Sequence, residues 1–131
     1  MKPYAAAILA VLALSALQGC ARNFSAELGP AGLDRIRAEA EALWNRHASD
    51  GAASARGVEL AADAWPGSIA AINPEALQVR RDGVYIIVAS GFLNAQILFV
   101  PCPTCAALSL KDARANIRGI APRVYDLSAT L

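Results

Sequence analysis

The stretch "LQVRRDGVYIIVAS", Leu77 to Ser90, constrains the fold more than any other in this 131-residue chain. The alternating run Leu77 to Arg81 and the apolar run Val84 to Ser90 flank Asp82-Gly83. A dipeptide of that kind signals a hairpin, because both central positions of a type I′ turn require positive φ. A lone hairpin is marginally stable in water and needs further strands and a covered face. "AQILFVP", after a turn over residues 91–94, supplies a third strand, and "RVYDLSA" near the end supplies a fourth. The covering element lies upstream. Leu33, Ile36, Ala40, Leu43, Trp44 and His47 recur at helical spacing, with charged residues on the other faces, until Ser49-Asp50-Gly51 ends the pattern. Pro66 to Ile72 reads as a short helical turn, with Trp65 and Pro66 locking it against the sheet. The expectation is an α+β fold: an N-terminal amphipathic helix packed on a small antiparallel sheet of about four strands.

The start of the chain concerns location. Lys2 is followed by a charge-free, mostly apolar run from Pro3 to Gly19. A membrane-spanning helix needs ~20 apolar residues, so the run is short for a span. A positive start, an apolar middle and small residues at the end make a secretory signal. The run closes on "LQGC", Leu17 to Cys20, which resembles the lipobox of bacterial lipoproteins. The resemblance covers residues 1–20. It implies cleavage before Cys20 and a covalent lipid on that cysteine: diacylglycerol on the thiol and an N-acyl chain such as palmitate. Residues 1–19 are then a removed signal peptide, 20–32 ("CARNFSAELGPAG") a lipidated flexible tether, and 33–131 one small domain. Ala21 stands where members of that family kept in the inner membrane carry Asp. The resemblance therefore implies the outer membrane, with the domain facing the periplasm.

Removal of Lys2 leaves 11 basic residues against 11 acidic ones, and the basic residues are dispersed. Nucleic-acid binding needs a basic face, so no nucleic-acid partner is expected. The expected partners are the membrane, reached through the lipid, and a periplasmic protein. No nucleophile motif, phosphate loop or carboxylate pair appears, and no catalytic activity or cofactor is expected beyond the lipid on Cys20. His47 is the single histidine and sits near a helix C-terminus, where the helix dipole favours a partly charged imidazole.

"PCPTC", Pro101 to Cys105, raises three readings. In an oxidising compartment Cys102 and Cys105 form a local disulfide. "CPTC" also resembles the glutaredoxin-type C-P-x-C motif, which implies thiol redox chemistry. That chemistry uses a helix N-terminus after a first strand, whereas here the pair follows the third. A structural zinc site takes four ligands, and two cysteines with a distant histidine fall short, so no metal is expected. Free thiols are the third reading. From Trp65 to Asp126 the order "WP…I…NP…V…DGVYI" with a closing "VYDLS" strand loosely resembles small uncharacterised bacterial lipoproteins. That resemblance implies no activity. Three functional classes remain: a structural or interaction lipoprotein, a thiol redox protein using Cys102 and Cys105, and an immunity or inhibitor lipoprotein.

Overall fold

The computed structural model describes residues 21–48, 57–90, 94–106 and 116–130. Residues 1–20, with the signal run and Cys20, lie outside the described residues. The chain is α+β. Helix α1 spans Phe24–His47 and a short helix α2 spans Gly67–Ala71. Strands β1 (Val58–Leu60), β2 (Ala76–Arg80), β3 (Gly83–Ser90), β4 (Asn94–Pro101), β5 (Asn116–Ala121) and β6 (Val124–Thr130) form one antiparallel sheet in the order β1-β2-β3-β4-β6-β5. The expected four strands become six. The two additions are the edges. Strand β1 has three residues, and β5 carries Arg118, Gly119 and a register shift before Ala121. Short, charged or irregular strands blunt an edge against pairing with other chains. The same traits hide them from an alternation pattern.

The helix starts earlier than expected. Residues 24–32, read from sequence as part of a flexible tether, belong to α1. Asn23 caps it, its side-chain oxygen accepting from the Ala26 amide at 3.2 Å. Gly29-Pro30 is an internal kink. Gly29 takes φ 65°, a left-handed conformation open to glycine, and Pro30 restarts the helix without needing its missing amide. The second segment crosses the sheet. Its stripe of Leu33, Ile36, Ala40 and Leu43 is buried against Leu77, Val79, Val84, Ile86, Leu98, Val100 and Val124. Trp44 donates its indole N–H to the Arg80 carbonyl at 3.0 Å. Glu39 accepts from the amides of Ser68 and Ile69, at 3.0 and 3.2 Å, and so satisfies the start of α2. Trp65 donates to the Leu60 carbonyl at 3.0 Å, which ties the turn before α2 to the sheet edge as expected.

The β2–β3 hairpin forms one residue out of the expected register. Arg80 pairs with Gly83, so Arg81 and Asp82 are the central residues, and neither has positive φ. The positive φ falls on Gly83 itself, the first residue of β3, at 153°, and the position is also closely packed. A Cβ there would stand 2.3 Å from the Val100 carbonyl oxygen and 2.9 Å from the Phe99 ring.

Leu43→Ala, on the buried stripe, is expected to lower stability by about 2–5 kcal/mol in a denaturant melt. Arg46→Ala, on the exposed side of the same helix, should change it by less than about 0.5 kcal/mol.

Candidate functional site

Three places in the fold carry chemistry that the core does not use. The first is a polar cleft on the helix side of the sheet, bordered by Arg22, Asn23, Gln96, Arg118, Asp126 and Ser128. Strand alternation puts Gln96, Leu98 and Val100 on this face of β4, and Val124, Asp126 and Ser128 on the same face of β6. The inner face is therefore apolar at one end and polar at the other. Gln96 is 5% exposed and Asp126 6%. Buried polar groups need partners. Gln96 finds its partners on the main chain of Arg22: the Arg22 amide donates to Gln96 Oε1, and Gln96 Nε2 donates to the Arg22 carbonyl, both at 2.9 Å. The same Nε2 lies 3.2 Å from Asp126 Oδ2. Arg118 Nη2 approaches that carboxylate at 3.5 Å, from a side chain that is 70% exposed.

Arg22 is held by its side chain as well. Its guanidinium donates to both oxygens of Glu27, at 2.7 and 3.1 Å, and to the Ile72 carbonyl. It also lies 4.7 Å from the ring centroid of Phe24, which is buried. The hydrogen bond from Arg22 holds the Glu27 carboxyl below the usual carboxylate range. That pairing is present at neutral pH and is lost in acid as Glu27 protonates.

The second place is the sequence-predicted cysteine pair. Cys102 and Cys105 stand at disulfide-bonding distance, with Cα atoms 5.1 Å apart. The segment is a β-turn at the end of β4: the Cys105 amide donates to the Cys102 carbonyl at 2.9 Å, with Pro103 second in the turn. The Cys102 amide donates to the Asp82 carbonyl at 2.9 Å, which seats the turn on the β2–β3 hairpin. Arg123 closes it from the other side, donating to the carbonyls of Cys102 and Cys105 at 2.7 and 3.1 Å. Arg123 follows Pro122 between β5 and β6 and takes φ 59°. Proline then positive φ is the pattern of a type II turn, whose second position favours glycine. The sequence reading missed Arg123. A non-glycine residue after Pro122, between two strands, is the signal that points to it. Among the described residues, no helix begins at Cys102 or Cys105.

The third place is the outer face of the sheet, opposite α1. Tyr85, Phe99 and Tyr125 are cross-strand partners in one row. Ile87, Ile97, Leu127 and Ile117 form the next row. The Tyr85 and Phe99 ring centroids are 4.7 Å apart, and the Arg80 guanidinium lies 4.6 Å from the centroid of Tyr85. Burial, with a hydrogen bond donated to Asp82, pushes the Tyr85 phenol above its ordinary value. Phe99 is 2% exposed at the centre of its row, and the residues around it are half-buried.

Among the described residues, no group of three or more His, Cys, Asp or Glu side chains is placed to hold a metal ion, and no helix is long and apolar enough to cross a membrane. In comparisons with known proteins, no family model, no curated protein and no solved structure matches this chain.

Gln96→Leu removes the partners of the Arg22 main chain and one donor to Asp126. It is expected to cost about 1–3 kcal/mol in a denaturant melt, the range for leaving a buried polar group unpaired.

Proposed function

We propose that this chain is a lipid-anchored interaction module of the bacterial cell envelope. The lipid is carried on Cys20, and the domain faces the periplasm, at the outer membrane by the identity of Ala21. The observation that carries the interaction reading is the pair of apolar rows on the outer face of the sheet. Rows of Tyr, Phe, Ile and Leu on a face that no helix of the described residues covers match the composition of interface cores, which are rich in aromatic residues and poor in charge. The place of the N-terminus supports a protein occupant. Arg22 is held on the helix side of the sheet. A lipid two residues upstream therefore draws the Gln96 end of the sheet towards the bilayer and leaves the outer face accessible to a periplasmic protein. A periplasmic protein with a flat apolar surface is the partner this orientation favours.

Cys102 and Cys105 are read as a structural disulfide. The turn geometry and the support from Arg123 favour a staple between the β2–β3 hairpin and the β5–β6 turn. Closing so short a loop removes only about 2 kcal/mol of chain entropy.

Two outcomes test these readings. A photo-crosslinking residue in place of Leu127, on the outer face, should give a discrete heteromeric adduct in intact cells. The same residue at Asn45, on the exposed side of α1, should give none. A homodimer adduct alone would make the outer face a self-association surface, and no adduct from Leu127 would sink the interaction reading. The Cys102→Ser/Cys105→Ser double variant should lose about 2 kcal/mol or less and keep the Leu127 adduct. Catalytic insulin reduction by the wild type, absent from the double variant, would replace the staple with the redox alternative.

A further inference from the structure

We propose that the domain is seated directly on the bilayer through the polar cleft around Gln96, with no flexible tether between lipid and fold. This rests on the reading of Cys20 as the acylated residue. Lipid attachment through a flexible spacer leaves orientation free. Here the spacer is consumed by structure. The Arg22 main chain forms two hydrogen bonds with buried Gln96, its side chain binds Glu27 and the Ile72 carbonyl, and Asn23 caps α1. Ala21 alone remains between the acylated cysteine and the first held residue. Two residues span at most about 7 Å when fully extended. A lipid on Cys20 therefore brings Arg22 and the cleft beside it within that distance of the headgroup layer.

The surface brought there suits a polar, phosphate-bearing interface. Its border residues are Asn23, Gln96, Arg118, Asp126 and Ser128. Arg118 projects from edge strand β5, largely exposed, and Asp126 occupies one of its nitrogens at 3.5 Å. Its other donors point to a headgroup phosphate as the matching ligand. No polybasic patch is needed, because two or three acyl chains already make attachment stable. Arg118 and the Gln96 clasp set orientation. The opposite end of the sheet, with Asp82, Cys102 and Arg123, lies five residues further along β4, roughly 17 Å from Gln96. That end projects away from the membrane.

The test uses the full, acylated protein in nanodiscs of phosphatidylethanolamine and phosphatidylglycerol doped with a gadolinium-chelating lipid. Amide signals of Arg22, Gln96 and Ser128 should broaden severalfold more than those of Asp82 and Arg123. A flexible Gly-Ser linker of about ten residues between Cys20 and Ala21 leaves every described contact intact and should erase that difference. Arg118→Gln should reduce the broadening without affecting acylation. If wild-type and linker proteins broaden alike, the seating is refuted while the lipid anchor stands. If intact mass spectrometry of the protein made in cells shows no acyl group on Cys20, the seating and the anchored reading fail together.

Discussion

One side-chain amide decides how the beginning of the domain is built. Gln96 lies on the inner face of β4 in line with Leu98 and Val100, where an apolar helix could not satisfy it. An unpaired buried amide would cost about 1–3 kcal/mol. It is satisfied by the main chain of Arg22, which must then lie across the polar end of the sheet. From that point the path follows. Asn23 caps, Phe24 enters the core, and Gly29-Pro30 redirects the chain so that Leu33 to Leu43 cover the apolar end. The kink reconciles two demands on one segment: a polar start over Gln96 and Asp126, and an apolar stripe over Leu77, Val84 and Val100.

Much of this was legible in the sequence, and the gaps have physical causes. The 3.6-residue spacing of Leu33, Ile36, Ala40 and Leu43 identified the buried stripe, because burial on one face is what creates that spacing. The strands around Gly83, Ile97 and Tyr125 were legible for the same reason at period two. Residues 24–32 were read as tether because Gly29-Pro30 and the small residues around it look like turn chemistry, whereas they form the first part of α1 and its kink. A local turn signal cannot distinguish a helix start from a kink when the helix on its far side is held by tertiary contacts, as Phe24 and Arg22 are. Strands β1 and β5 escaped because edge strands bury little, so their residues need not alternate. The hairpin register slipped by one because Gly83, with φ 153° and no room for a Cβ beside the Val100 carbonyl, serves as the first residue of β3 and not as a central turn residue.

The candidate sites divide in the same way. Cys102 and Cys105 were found because cysteine spacing is a sequence property, and the structure places them at bonding distance in a turn. Arg123, which braces that turn, was invisible because its partners are backbone carbonyls distant in sequence. Gln96 and Asp126 share a face with apolar neighbours on paired strands. Only the register of β4 with β6 shows that they meet. Cys20 lies outside the described residues, and the link from it to the fold runs through Arg22.

The most direct measurement of this account is amide hydrogen exchange at Arg22. That amide donates to a buried glutamine, so it should exchange as slowly as the amides of β4, although it lies before the first helix. Replacing Gln96 with Ala should release Arg22 while the β4 amides stay protected. Exchange at Arg22 at the rate of an unstructured peptide in the wild-type protein would contradict the clasp, and with it the direct seating that depends on it.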